Sequence, residues 1–286
     1  MYEAFYGLKE KPFTLTPDPE FLFMSRQHET ALTMLEYGLT LHGGITVITG
    51  EVGSGKTTLI RRAMQVLDPQ FTVGIITNTH RNIGELLKWI LFAFDLDYRS
   101  GDKAELYHIF IDFVVAQYTA NRRTLLIIDE AQNMDVETLE ELRMLTNVNN
   151  DKDQILQLLL VGQPELTEKL KQPELRQFAQ RISSCFHLTP LSFRDTRDYI
   201  RHRLTVAGGE PEIFDDMACG AVHFQTRGIP RLINTLCDAA LVYGFAEERG
   251  QIDMDTIFDV VLDKNRAPLS PFASNGAANG AVAEPQ

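Results

Sequence analysis

"ITVITGEVGSGKTTLI", residues 45–60, sets Gly50, Gly53 and Gly55 between two apolar runs and follows them with Lys-Thr-Thr. Glycine weakens both a strand and a helix, because it loses the most backbone freedom on folding. Its repeated use here marks a place that needs bare backbone. A phosphate chain supplies that need. Gly50 to Thr57 fits the pattern G-x-x-x-x-G-K-[ST]; Ile45, Val47 and Ile48 read as a buried strand before it, and Leu59 and Ile60 open a helical pattern after it. Strand, glycine loop and helix are the context that motif requires. Backbone N–H groups curl around phosphate oxygens, and the helix N-terminus adds partial positive charge. The candidate nucleotide-binding set is Gly50, Gly53, Ser54, Gly55, Lys56, Thr57 and Thr58. Lys56 is expected to reach the β- and γ-phosphates of ATP, and Thr57 to hold Mg²⁺.

A second motif strengthens the first. "RTLLIIDE" is an apolar strand that ends in Asp129 and Glu130. A parallel strand delivers its C-terminal residues to the sheet edge where ligands bind. Asp129 is expected to help hold Mg²⁺, and Glu130 to act as general base toward the attacking water. Strand alternation is expected to point the two side chains apart and so offset Glu130 from the metal. An acidic pair after an apolar run is by itself an ordinary solvated turn; the linkage to the Gly50 motif gives it meaning.

The rest of the chain fits around these motifs. "FTVGIITN", "QILQLLLVGQP" and "RISSCFHLTP" read as further strands, giving five with the two above. Helical patterns lie near 26–41, with Ala31, Leu35 and Leu39 at four-residue spacing, and near 82–96 and 103–121. Near-continuous apolar strands alternating with helices predict an α/β fold with a parallel sheet covered on both faces. After Pro190 the pattern is helical to about residue 265. Four parts are expected: an arm over 1–25 packed on the nucleotide-binding core, that core over 26–190, a small all-α lid over 191–266, and a disordered tail over 267–286.

Composition narrows the function classes. The chain has 286 residues, 44% of them apolar, a formal net charge of −12 and three widely separated cysteines. Cys185, Cys219 and Cys237 form no C-x-x-C, so reduced thiols are expected rather than a zinc site or a disulfide framework. No segment reaches the roughly 18 uncharged apolar residues of a membrane helix, and "MYEAFYGLKEKPF" has no basic-then-apolar leader pattern. The acidic balance argues against a nucleic-acid binder, since phosphate neutralisation needs clustered Lys and Arg. "FRDTRDYIRHR" sets Arg194, Arg197 and Arg201 along one helical face, but Asp195 and Asp198 interleave, so a solvated, salt-bridged face is expected. "ELYHIFIDFVV" reads as a helix buried against the sheet.

These motifs resemble the AAA+ ATPases, and more closely the ATPase portion of the ExeA (general secretion pathway protein A) family. The stretches that carry the resemblance are "MYEAFYGLKEKPFTLTPDPEFLF", "HETALTMLEYGL", "VITGEVGSGKTTL", "LLIIDEAQNM", "LVGQPEL", "LRQFAQRI" and "TRGIPRLIN", from residue 1 to about 265. The group is related to the Orc/Cdc6 initiators and to transposition ATPases of the TniB and TnsC kind. The resemblance implies a P-loop AAA+ fold and several further roles. Gln163 falls where the family has sensor 1, although Asn or Thr is commoner there in AAA+ proteins at large. Asn78 falls where many relatives hold the catalytic Glu in an inactive pose; Asn is also an ordinary strand-ending residue. Arg181 matches the arginine finger that reaches a neighbouring subunit's nucleotide, with Arg176 as runner-up and a surface ion pair as the plain alternative. Arg231 matches sensor 2, on a lid helix that Gly228 and Pro230 begin.

The resemblance implies ATP hydrolysis, a homo-oligomer and a protein partner in secretion, exopolysaccharide or exosortase-type systems. Full-length relatives continue into a transmembrane helix and a peptidoglycan-binding domain. With neither present, a cytoplasmic ATPase, peripheral to the inner membrane through a partner, is expected. An ATP-dependent DNA-binding regulator is the alternative, and a nucleotide-binding scaffold without turnover a third reading.

Overall fold

The structure is a computed structural model that describes residues 1–16, 18–40, 44–67, 70–77, 86–99, 101–147, 149–150 and 153–266. The chain divides into two compact units, one of Arg26–Thr189 and one of Met1–Ser25 with the chain from Pro190 onward.

The first unit is built on β1 (Ile45–Gly50), β2 (Phe71–Ile76), β3 (Arg123–Ile128), β4 (Leu156–Gly162) and β5 (Ile182–Leu188). The strands form one sheet in the order β2-β3-β4-β1-β5, and every pairing is parallel. Every residue of β1 and of β4 is buried, as a two-face-covered parallel sheet requires. Alternate residues of β1, β3 and β4 face one core with helices α3 (Leu86–Ala93), α4 (Lys103–Thr119), α5 (Val136–Leu145) and α6 (Pro164–Leu170). The opposite face meets α1 (Arg26–Thr40) and α2 (Lys56–Val66), where Ala31, Leu35, Leu39, Leu59 and Ile60 are buried.

Local chemistry starts these helices. Asp102 caps α4 by accepting from the Ala104 and Glu105 amides at 2.9 and 3.0 Å, and Glu105 returns a bond to the Asp102 amide at 3.0 Å. Leu106, Phe110 and Val114 then bury one face of α4, as "ELYHIFIDFVV" suggested. The short hairpin Asn149–Asn150/Asp153–Gln154 lies outside the main sheet and has no sequence signal that we read.

The second unit is helical: α7 (Phe193–Val206), α8 (Asp216–Thr226), α9 (Pro230–Ala246) and α10 (Met254–Asn265). Here the arm corrects an expectation. Tyr2, Tyr6, Leu8, Phe13 and Phe21 belong to the core of this helical unit, not to the nucleotide-binding core. The reason is specific bonding. Buried Arg203 on α7 donates to the Pro12 and Thr14 carbonyls, and its guanidinium lies 4.6 Å from the centre of the Phe21 ring. Tyr6 donates to the Arg249 carbonyl at 3.0 Å, and the Lys9 amide to the Ala207 carbonyl at 2.8 Å. The arm thus shares one core with the four helices. The tail expected over 267–286 and Asn78 both lie outside the described residues.

Candidate nucleotide site

Register brings the motifs together. Thr49 pairs with Gly162, Gly50 with Leu188 and Ile76 with Ile128, so β1 to β5 end at one edge of the sheet. The Asp129 amide donates to the Ile76 carbonyl at 2.8 Å and extends that edge by one residue. Gly50, Asp129 and Gln163 leave the sheet there.

The glycine loop has the backbone that its sequence demanded. Gly53 and Gly55 have φ of 79° and 99°, and Gly55 is the residue that caps α2. Side chains rarely adopt that conformation. A Cβ on Gly50 would stand 2.7 Å from the Leu188 carbonyl oxygen, so close strand contact also excludes one there. Lys56 Nζ donates to the Gly50 and Glu51 carbonyls at 2.7 and 2.9 Å. Burial pushes the Lys56 ammonium below its ordinary range, and the carboxylates of Glu130, Asp129, Glu51 and Glu165 oppose that shift. Ser54 is 2% exposed, and its hydroxyl has no protein partner among the described residues.

Thr57 Oγ1 donates to Asp129 Oδ2 at 3.3 Å. Burial pushes the Asp129 carboxyl above the usual carboxylate range, and the Glu130 charge acts in the same direction. The Glu130 amide, the Thr57 hydroxyl and the Lys56 cation oppose it. A hydroxyl and a carboxylate at one point are ligands of the kind Mg²⁺ takes alongside phosphate oxygens. The left-handed glycines, the unpartnered Ser54 hydroxyl, the inward Lys56 and the Thr57–Asp129 pair fit a Mg²⁺–nucleotide.

Glu130 departs from the strand expectation. β3 ends at Ile128, and Glu130 has φ 55° and ψ 35°, the left-handed region. Its offset from Asp129 therefore comes from a turn and not from pleat alternation. Such backbone costs a non-glycine residue about 1–3 kcal/mol. Side-chain bonds hold it: Glu130 Oε2 accepts from Gln132 Nε2 at 2.6 Å and from Gln163 Nε2 at 3.2 Å. Gln132 was not singled out in the sequence. Its signal was its place in "DEAQ", two residues after Glu130, on a turn whose shape only the fold determines.

The remaining expected residues are spread more widely. Thr58 is the third residue of α2 and half-buried. Arg181 stands before β5, and its Nη1 donates to Thr146 Oγ1 at 2.9 Å. Arg176 is exposed at the start of the short helix Arg176–Ala179. Arg231 is exposed, the second residue of α9 in the helical unit. Its turn requires glycine: Gly228 has φ 74°, and a Cβ there would lie 2.0 Å from the Leu191 carbonyl oxygen. On α7, Arg197 pairs with Asp198 at 3.3 Å and Arg201 with Asp216 at 2.9 Å, the salt-bridged face expected.

Comparison with known proteins agrees with this geometry. Residues 40–170 match the AAA domain family. The chain is 43% identical over 247 residues to the General secretion pathway protein A of Aeromonas hydrophila, which covers 86% of this chain and 45% of that protein. The chain thus spans a little under half the length of this curated relative. Among solved structures, the Aeropyrum pernix ORC2 protein aligns with a TM-score of 0.64 at 18% identity, over 89% of this chain and 72% of that one. CDC6P from Pyrobaculum aerophilum aligns with a TM-score of 0.65 at 15% identity, over 87% of this chain and 71% of that one. At such identities the likeness is one of fold alone. No helix among the described residues is long and apolar enough to cross a membrane.

Proposed function

We propose that this chain binds ATP with Mg²⁺ on the Gly50–Thr57 loop and hydrolyses it, coupling turnover to assembly or remodelling of a protein partner. The observation that carries the reading is the convergence of Thr57, Asp129, Glu130 and Gln163 at the end of one sheet. Gly50, Gly53, Ser54, Gly55 and Thr58 shape the phosphate cradle, Lys56 neutralises phosphate charge, and Thr57 with Asp129 holds the metal. Bound Mg²⁺ supplies charge neutralisation between the phosphates. Glu130 takes a proton from water, and Gln163 orients that water. Arg181 completes a neighbour's site in a homo-oligomer, with Arg176 as the competing finger. Arg231 acts as sensor 2, and Asn78 as a restraint on Glu130.

The likeness to the Aeromonas General secretion pathway protein A supports a partner in secretion; an exopolysaccharide or exosortase-type partner, and a place in the cytoplasm peripheral to the inner membrane through it, belong to the same proposal. The DNA-binding alternative loses its best stripe, because Arg197 and Arg201 are paired with aspartates. Steady-state phosphate release from MgATP, with and without duplex DNA at low salt, tests the reading. Turnover in protein alone, abolished by Glu130→Gln, is the expected result. Absence of turnover at every protein concentration would overturn it. Steeply salt-dependent DNA binding that appears only with ATP would favour the alternative.

A further inference from the structure

Gln132 is fixed at three points. Its Nε2 donates to Glu130 Oε2 at 2.6 Å, and its Oε1 accepts from the Gln163 amide at 3.0 Å. Its main-chain carbonyl accepts from Lys169 Nζ at 2.6 Å, and the same ammonium bonds the Met134 carbonyl. The amide has only one workable orientation, since the carboxylate only accepts and the backbone N–H only donates. Room for it depends on Gly162, the last residue of β4: a Cβ there would lie 2.9 Å from Gln132 Oε1 and 2.9 Å from Leu166 Cδ2. Gln163 closes the circuit by donating its own Nε2 to the same Glu130 oxygen at 3.2 Å.

The geometry points to Gln132 as a positioning residue that locks the Glu130 carboxylate to the end of β4, so that Glu130 and Gln163 move as one unit. The inference rests on Glu130 being the general base. Proton abstraction requires heavy atoms within hydrogen-bond reach of the water, so a base gains from a restraint on its carboxylate. Gln132 supplies that restraint from the turn that follows Glu130. Lys169 restrains the turn in its place. Any shift of β4's end is carried through the Gln163 amide to the Gln132 side chain and on to the carboxylate.

The test uses the full chain and four variants: Gln132→Ala, Gln163→Ala, the double variant and Gly162→Ala. Gln132→Ala is expected to lower kcat by about tenfold to a hundredfold while ATP affinity, read by equilibrium dialysis, changes by less than about twofold. Gly162→Ala, whose Cβ would crowd the Gln132 amide and the Leu166 side chain but not Glu130, is expected to show the same kcat loss with ATP affinity kept. The double variant is expected to lose much less than the product of the two single losses, as residues acting as a unit do. A merely structural role would instead lower affinity and turnover together, and that result overturns the inference. So does a multiplicative double variant, or a Gln132→Ala kcat within about twofold of the parent. Glu130→Gln separates the levels. If it is inactive while Gln132→Ala is normal, the base stands and the lock falls. If it turns over normally, or the parent has no turnover, both readings fall.

Discussion

The Thr57 hydroxyl donates to Asp129 Oδ2 at 3.3 Å, across a separation of 72 residues. One partner is the second residue of α2 and the other follows the end of β3, so the bond joins the two sequence motifs physically. It forms only because β3, β4 and β1 lie side by side and end together. The consequences for the candidate site are open to direct measurement.

Lys56→Ala is expected to weaken ATP binding by about tenfold to a hundredfold, the worth of a charge-assisted hydrogen bond of roughly 1.5–3 kcal/mol. Equilibrium dialysis with MgATP measures this. Unchanged affinity would remove the phosphate-cradle reading of the whole loop.

Glu130→Gln keeps the shape of the side chain and leaves the Asp129 carboxylate in place. ATP binding should persist while turnover falls by at least about a hundredfold. Single-turnover phosphate release is the measurement, and near-normal rates would exclude Glu130 as the base.

Arg181 and Arg176 can be told apart by complementation. Arg181→Ala should bind ATP normally and lose turnover on the order of a thousandfold. Mixing it with Lys56→Ala should restore part of the activity, because a mixed interface pairs an intact loop with an intact arginine. If Arg176→Ala shows this behaviour instead, the bond from Arg181 to Thr146 is the whole role of Arg181. Specific activity that does not vary with concentration in a strictly monomeric preparation would exclude both.

Asp129→Asn is expected to raise the thermal midpoint of the nucleotide-free protein at neutral pH while Mg²⁺-dependent turnover is lost. Burial raises the folded-state pKa of Asp129. Between the ordinary aspartate range and that raised value the folded chain binds more protons than the unfolded one, so stability falls as pH rises through the window. Above the window the destabilisation is complete, and asparagine relieves it. The gain should shrink as pH drops below the ordinary aspartate range, where both states are protonated. A midpoint below the parent at neutral pH would contradict the argument.

Gly228→Ala places a methyl group 2.0 Å from the Leu191 carbonyl oxygen at a φ of 74°. The left-handed backbone alone costs about 1–2 kcal/mol, and the overlap adds to it. The helical unit should melt earlier in differential scanning calorimetry. An unchanged melting profile would mean that the turn before α9 is free to move.

Much of this arrangement was legible residue by residue. The glycine loop, the five apolar strands and the helix near 103–121 carry signals within a few residues of each other: glycine spacing and apolar runs. Other features depend on contacts distant in sequence. The arm has aromatic residues that would suit any apolar surface, and its place in the helical core follows from Arg203 and the Arg249 carbonyl. Gln132 resembles any polar turn residue until Gln163 comes within reach of it.

The sequence by itself therefore determined the groups available: a glycine loop with a lysine, a hydroxyl beside it, and a carboxylate pair after an apolar strand. Those depend on residue type and on spacing along one short segment, which local backbone preference and side-chain chemistry dictate. Tertiary structure alone decided the strand order that brings Asp129 to Thr57, the left-handed turn at Glu130, its lock by Gln132, and the unit to which the arm belongs. Each of these is a balance among groups far apart in the chain, settled by which of them the sheet and the helical core bring within bonding distance.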